Sequence, residues 1–545
     1  MNVKTAKKQN FMHGAAILTI GVVIMKVLGA IYKIPLGTIL GDYGYGIFLA
    51  TYNVYNIFFT LSTAGLPVAL SRLIAEADAN GRIRQEEKTF HAAIGTFTVI
   101  GVFFSLIMFF GNEWLASAYL HKPEAALSVR AMAPAILLVC LVSAYRGYCQ
   151  GNGNMIPTTV DEVLEVLFKV ISGLVIAGLL VKTGHGLPEA SAGAILGVSI
   201  GSVVSLSYML LYKRKNYSSL SAPYSAGMHD PNDVPGDDLT ADPTAKIVKD
   251  ILRIGIPISL GASIMAILSS LDPGICQSRL EAAGFAEYEA GVLYGVYAKV
   301  QTLFNLPAAF MTPLTIAIVP AVAGAIARGK REEASKISED AMRIASVVSM
   351  PMGTGLAVLA FPIVNVLYPN SNEAGPGLLS IMGITSFFVC IVLMENAILQ
   401  ASGKERLPMY AMVSGSLVKI AINWIIIANP KINIYGAPVG TLCGYFWMAA
   451  ADYLFIRYSL GQKLRLVQVL GKPLACSLIM GAVAEGVYLL VMKLTGGVIS
   501  IAMLGAIALA VLVYLAAVVV LRSITAEDMK LIPGGEKVAK ILHIH

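Results

Sequence analysis

The sequence is poor in charge. Only 13% of its 545 residues are Asp, Glu, Lys or Arg, whereas soluble domains contain about 25%. Together with 56% hydrophobic residues and a mean hydropathy of +0.72, this composition excludes an ordinary soluble protein. The apolar runs are long and continuous, whereas the strands of a membrane barrel would alternate over about ten residues. The sequence therefore predicts an all-α polytopic membrane protein.

Residue patterns that carry enzyme or metal chemistry are also scarce. The six cysteines are scattered without a CxxC pair, the seven histidines have no second ligand at metal spacing, and no Walker loop or long outer loop occurs. These absences predict free thiols, no metal site, no catalytic residues and no cofactor. The protein is therefore expected not to be an enzyme.

The formal net charge of +7 reflects lysines and arginines in the turns between apolar runs. One set of turns is clearly richer in them, and by the positive-inside rule those turns face the cytoplasm. We therefore expect a protein of the cell membrane with both termini cytoplasmic and no nucleic-acid partner. The basic turns contain Arg72, Arg82, Arg84, Lys88, Lys213, Arg214, Lys215, Arg328, Lys330, Arg331, Lys404, Arg406, Lys463, Arg465 and Lys472.

Fourteen apolar runs are long enough to cross a bilayer, and the first twelve contain a repeat. A shift of 250 positions aligns Lys169 and four neighbours with identical residues around Lys419. Because six is an even number, both halves enter the membrane in the same orientation, so we predict two parallel six-helix repeats followed by two extra helices. The predicted parts are an N-lobe at 1–213, a cytoplasmic linker at 214–247, a C-lobe at 248–460, two helices at 468–523 and a cytoplasmic tail at 524–545.

Several charged residues lie inside apolar runs, where each costs roughly 2.5 to 3.5 kcal/mol at the bilayer centre and is expected to serve a function. Lys26 and Lys33 are seven residues apart on one helix face. Neither they nor Lys299 has a carboxylate three or four residues away. A cavity lined by lysines favours an anion, and a compact ammonium suits phosphate. A pyrophosphate-linked lipid fits such a site.

Other buried charges have structural interpretations as well. Glu165 and Lys169 have the spacing and order of an ion pair within one helix, while Glu162 with Glu165 is an alternative cation site. Asp452 is expected to pair with Arg457 or to face the cytoplasmic rim. The candidate substrate-binding residues are Lys26, Lys33, Asn53, Arg72, Arg146 and Lys299, and the candidate gating or ion-coupling residues are Glu162, Glu165, Lys169, Asp272, Glu395 and Lys419.

Four motifs resemble the stage V sporulation protein B group and the related MurJ-type lipid II flippases. They are MKVLGAIYKIPLGTILGDYGYGIF (25–48), STAGLPVALSRLIAEA (62–77), RGYCQGNGNMIPTT (146–159) and LYGVYAKVQTLFNLPAAFMTPLTIAIVPAV (293–322). The resemblance covers nearly the whole chain. It implies two six-helix lobes arranged in a V, a cationic central cavity, alternating access, and a groove from the last two helices for a polyprenyl tail. The relatives tend to carry arginine where this chain has Lys26 and Lys33.

The expected function is movement of a polyprenyl-diphosphate-linked saccharide from the inner to the outer leaflet. The substrate would be lipid II or a related undecaprenyl-linked precursor of cell wall, spore or polysaccharide. We expect a monomer, driven by the membrane potential or by a Na⁺ or H⁺ gradient. A cation-coupled multidrug exporter of MATE type is the alternative, although organic cations favour carboxylates over these lysines. A membrane glycosyltransferase would need a long outer loop, and a scaffold would not explain lysines inside the membrane.

The charge distribution yields a first testable prediction, on topology. Single cysteines placed near Arg82, at Asp233 and near Lys404 should be protected from an impermeant thiol reagent in intact cells, because these segments are expected to be cytoplasmic. Cysteines near Lys122 and Lys182 should react. Labelling of the Asp233 cysteine from outside would overturn this topology.

Overall fold

The computed structural model describes residues 11–217, 241–461 and 465–523. In these ranges the chain forms α-helices and short helical turns, and no strand occurs. Before the linker the helices are α1 (Phe11–Thr63), α2 (Leu66–Ala79), α3 (Ile83–Phe110), α4 (Asn112–Trp114), α5 (Ala126–Gly151), α6 (Ile156–Lys182) and α7 (Leu187–Tyr217). After it they are α8 (Thr244–Ala282), α9 (Glu287–Phe304), α10 (Leu306–Ala327), α11 (Arg331–Val358), α12 (Ala360–Leu367), α13 (Ala374–Ala401), α14 (Arg406–Ile426), α15 (Gly436–Leu460), α16 (Leu466–Leu494) and α17 (Ile499–Val520).

The prediction of an all-α, multi-pass membrane protein is confirmed, but the count of fourteen spans is not. Twelve stretches of the described residues are long and apolar enough to cross a membrane. The first two predicted spans fall in one continuous stretch, Ile24–Ala79, of 56 residues. The apolar run at 291–325, which is long enough to be predicted as a single span, is divided at Asn305 between α9 and α10. Most of the predicted linker and the predicted tail lie outside the described residues.

Helix α1 is interrupted at Gly41. This glycine has φ 64° and ψ −170°, which is not helical. A positive φ of this kind is accessible to glycine at little cost and is strained for other residues. The helix therefore consists of two segments that meet at Gly41, and Asp42 is the first residue after the break.

The chain forms two compact units. The first unit contains residues up to 40 together with 47–274, and the second contains residues 41–46 together with those from 275 onward. The boundary at Gly274 lies inside α8. The lobes expected at 1–213 and 248–460 stay a prediction.

Glycines allow α6 and α7 to approach closely in the first unit. A Cβ added to Gly197 would lie 2.9 Å from the Lys169 carbonyl oxygen, and one added to Gly201 would lie 3.2 Å from the Lys169 Cβ. The backbones therefore pack against each other directly, as is common where membrane helices associate through small residues.

The second unit has the same arrangement around the equivalent lysine. A Cβ added to Gly440 of α15 would lie 3.1 Å from the Lys419 carbonyl oxygen on α14, and one added to Gly444 would lie 3.0 Å from the Lys419 Cβ. The alignment of Lys169 with Lys419 is thus matched by the packing around both residues. This match supports the internal repeat.

Within the second unit, the last two helices pack against α11. Tyr514 of α17 donates a hydrogen bond to the Val347 carbonyl of α11 at 2.6 Å, and Cys476 of α16 lies in the same apolar cluster. The opposite side of α17 is apolar and exposed, with Leu504 and Leu512 each 63% exposed. An apolar outer face of this kind suits contact with hydrocarbon chains.

Candidate functional site

Two lysines of the first unit lie within electrostatic reach of each other and form no ion pair with a described carboxylate. Lys33 of α1 is partly buried and within electrostatic reach of Lys169 of α6. The Lys169 ammonium lies 5.9 Å from the centroid of the Tyr52 ring. Neither lysine forms an ion pair with any described residue. We call Lys33, Lys169 and Tyr52 the lysine face. Like charges held close together favour binding of an anion.

The other predicted substrate-binding residues of α1 and α2 are more exposed. Lys26 lies exposed on α1, and Asn53 is partly buried further along that helix. Arg72 of α2 is exposed and lines a cavity of about 450 Å³ in the first unit, together with Asp242 and Arg253. The structure therefore groups Lys33 with Lys169 but gives no described contact among Lys26, Asn53 and Arg72.

Arg146 lies in a network of carboxylates. Its Nε donates to Asp161 at 2.6 Å and its Nη2 donates to Glu165 at 2.7 Å, while Glu162 lies 3.8 Å away. Ser205 of α7 donates to Asp161, and Ser202 of α7 donates to Glu165 at 3.3 Å. The network joins α5, α6 and α7. These carboxylates already neutralise the Arg146 charge. We therefore infer that Arg146 serves to hold α5, α6 and α7 together.

The expected ion pair between Glu165 and Lys169 is wrong. Glu165 accepts from Arg146 and Ser202, and Lys169 faces Tyr52 instead. A guanidinium held between two carboxylates forms directed, charge-assisted hydrogen bonds, which are stronger than a weak pair within one helix. Asp161 was missed, although it lies four residues before Glu165 on the same helix face.

Lys299 of α9 has a partner that is distant in sequence. Its ammonium donates to Asp42 at 2.6 Å, and the Lys299 and Asp42 side chains are only 4% and 9% exposed. Asp42 also accepts from the Ser371 hydroxyl at 2.7 Å and from the Asn372 N–H at 2.9 Å. The Lys299 ammonium lies 5.1 Å from the Tyr368 ring centroid. All these residues belong to the second unit.

Glu395 and Asp452 form a buried acidic pair. Glu395 of α13 is 2% exposed and lies within electrostatic reach of Asp452 of α15, which is fully buried. Among the described residues nothing hydrogen-bonds to Glu395 Oε2 or to either Asp452 carboxylate oxygen. The expectation that Asp452 pairs with Arg457 or faces the rim is therefore wrong. Two buried carboxylates without donors cannot both be charged unless a cation joins them.

The remaining candidates are dispersed. Asp272 is buried in α8, and Lys419 is partly buried in α14. No group of three or more His, Cys, Asp or Glu side chains in the described part of the chain could hold a metal ion.

Charged residues inside the spans of a multi-pass helical fold are typical of membrane transporters, and the related families are transporters and flippases rather than enzymes. The family model described as polysaccharide biosynthesis protein matches residues 11–325, more than half of the chain. The chain therefore belongs to that family. A second model, MatE, matches residues 295–425. The family resemblance inferred from the motifs is confirmed.

Three relatives from Bacillus subtilis (strain 168) span most of the chain. An uncharacterized membrane protein, YabM, is 25% identical, and the match covers 98% of this chain and 97% of the YabM chain. Stage V sporulation protein B is 26% identical and covers 80% of this chain and 82% of its own. Lipid II flippase MurJ is 23% identical and covers 84% of each.

Solved structures share the fold. A multidrug resistance MATE family transporter of the MOP superfamily, in an inward-facing conformation, matches with a TM-score of 0.64 and 18% identity, covering 82% of this chain and 98% of its own. A MOP superfamily transporter from Pyrococcus furiosus matches with a TM-score of 0.56 and 18% identity, covering 83% of this chain and 97% of its own.

The carboxylate network predicts that Arg146 and Lys169 differ in their contribution to stability. Replacing Arg146 by alanine should destabilise the protein by about 3 to 5 kcal/mol, because it leaves buried carboxylates uncompensated. Replacing Lys169 by alanine should change stability by less than about 1 kcal/mol. The measurement is thermal unfolding of both purified variants in the same detergent. Equal losses would contradict the network as a structural element.

Proposed function

We propose that this protein is a flippase that moves a polyprenyl-diphosphate-linked saccharide from the inner to the outer leaflet by alternating access. The observation that carries the proposal is the lysine face, where Lys33 and Lys169 lie within electrostatic reach of each other and neither forms an ion pair with a described residue. Two neighbouring ammonium groups repel each other unless an anion lies between or beside them. A diphosphate supplies more than one negative charge and suits compact cations.

The relatives support this class of substrate. The family is described as polysaccharide biosynthesis protein, and two relatives are called stage V sporulation protein B and lipid II flippase MurJ. The proposed substrate is lipid II or another undecaprenyl-linked precursor. The apolar outer side of α17 would accommodate the polyprenyl chain, in keeping with its exposed Leu504 and Leu512. The proposed site of action is the cell membrane, with both termini cytoplasmic and the protein a monomer.

The membrane potential favours outward transport. An inside-negative potential contributes roughly 2.3 kcal/mol per charge per 100 mV to the outward movement of an anionic head group. The same potential favours the return of an emptied cationic site toward the inside. No nucleotide is then required.

A cation-coupled multidrug exporter is the second candidate, because the MatE model matches residues 295–425 and the acidic pair suits a cation. In the flippase proposal the same pair serves coupling. Glu395 and Asp452 would form the binding site for the coupling ion, H⁺ or Na⁺.

The flippase proposal predicts a charge requirement on α1. Lys26→Ala and Lys33→Ala should each abolish precursor translocation at normal protein levels, because an uncompensated diphosphate cannot cross hydrocarbon. The lysine to arginine variants should keep much of the activity, since they keep the charge. The measurement is the amount of lipid-linked precursor accessible on the outer leaflet of cells. Wild-type translocation in the triple Lys26→Ala, Lys33→Ala, Lys299→Ala protein would contradict the flippase proposal and favour the multidrug exporter.

The coupling proposal predicts a second phenotype. Glu395→Gln and Asp452→Asn should each lower translocation about tenfold, which lies within the usual range of coupling free energies. They should also remove its dependence on an imposed Na⁺ or H⁺ gradient in proteoliposomes. Glu485→Gln is the matched control, because Glu485 is a partly buried carboxylate on α16. A double variant that still responds to the gradient would show that the ion binds elsewhere.

A further inference from the structure

The donors around Asp42 have the composition of an anion-binding site. The Lys299 ammonium and the Ser371 hydroxyl both donate to Asp42 Oδ1, at 2.6 and 2.7 Å, and the Asn372 N–H donates to Oδ2 at 2.9 Å. The Asn372 side chain accepts from the N–H of Ala374, the first residue of α13. A buried ammonium, a hydroxyl and a backbone N–H beside a helix N-terminus are groups that bind phosphate oxygens.

We propose that Lys299, Ser371 and the Asn372 N–H form a phosphate site, and that Asp42 occupies it as an internal competitor until the substrate diphosphate displaces it. This inference rests on the proposed function for the identity of its natural ligand. The site itself lies wholly within the second unit and is defined by its donors.

The backbone around Asp42 is suited to release. Asp42 directly follows Gly41, whose φ of 64° interrupts α1, and a Cβ on Gly41 would meet no atom within 4 Å. By contrast, the docked position requires close backbone contact, because a Cβ on Gly295 of α9 would lie 1.7 Å from the Asp42 carbonyl oxygen. Rotation about the glycine therefore frees the carboxylate without unfolding a helical turn of α1.

Asp42 also explains how Lys299 can stay buried when no ligand is bound. Lys299 is 4% exposed, and a buried ammonium without a counter-charge is strongly unfavourable. Asp42 keeps that charge compensated when no ligand is bound. A diphosphate carries more negative charge than one carboxylate, so it can replace Asp42 and leave Lys299 paired.

The test measures anion binding to the full-length protein purified in detergent, with inorganic pyrophosphate and farnesyl diphosphate as probes in calorimetry. Asp42→Asn keeps the size of the side chain but removes its charge and replaces one acceptor oxygen by an NH2 donor. It should bind both probes about tenfold tighter than wild type, since the apparent affinity rises with the fraction of free sites. Gly295→Ala should have the same effect by displacing the Asp42 backbone. Asp340→Asn is the control for net charge, because Asp340 pairs with Arg343 elsewhere in the second unit.

Adding Lys299→Met to Asp42→Asn should abolish the gain. The proposal is overturned if Asp42→Asn and wild type bind pyrophosphate equally, if Asp340→Asn gives the same gain, or if the gain persists without Lys299. Failure of the proposed function would give a different result from failure of this inference. In that case the probes still bind tighter to Asp42→Asn while precursor translocation in cells does not depend on Lys26 or Lys33.

Discussion

The cost of placing charge in hydrocarbon governs the polar part of this structure. Arg146 is surrounded by three carboxylates, and Lys299 is paired with Asp42, so both cations are compensated inside their own unit. Against this rule, two places stand out among the described residues. Lys33 and Lys169 lie within electrostatic reach of each other and form no ion pair, and Glu395 and Asp452 lie within electrostatic reach of each other without a donor. Titratable groups that a membrane protein leaves without partners often mark ligand or ion sites.

The repeat shows how the fold supports such places. Lys169 and Lys419 each project from a helix whose neighbour presents two glycines at nearly the same distances from the lysine carbonyl and Cβ. Close backbone packing fixes each lysine-bearing helix rigidly, so the position of the charge is determined by the scaffold and not by a flexible loop. The surroundings then diverge. Lys169 belongs to the lysine face beside Tyr52, whereas the acidic pair lies in the second unit, on α13 and α15.

Much of the fold follows from the sequence alone, because apolar runs and their flanking charges set helix positions directly. The helical class and the lysine repeat were both accessible in this way. Partners were not. The spacing of four residues within one helix predicted an ion pair between Glu165 and Lys169. Glu165 instead accepts from Arg146 on another helix, which offers stronger, directed hydrogen bonds. Asp42 and Lys299 are separated by 257 positions, so no local pattern could join them. The isolation of Asp452 was equally hidden, since the absence of a donor is a property of packing.

The break at Gly41 connects these observations. The break lies directly before Asp42, whose carboxylate accepts from Lys299, Ser371 and Asn372 inside the second unit. Because a neutral, fully bonded backbone is the cheapest structure in lipid, an interruption of this kind persists only where other interactions compensate for it. Here the compensation is the ammonium, hydroxyl and N–H that surround one carboxylate. In the proposed exchange, an anion that takes those donors removes these interactions, so ligand binding would shift the conformation around Gly41.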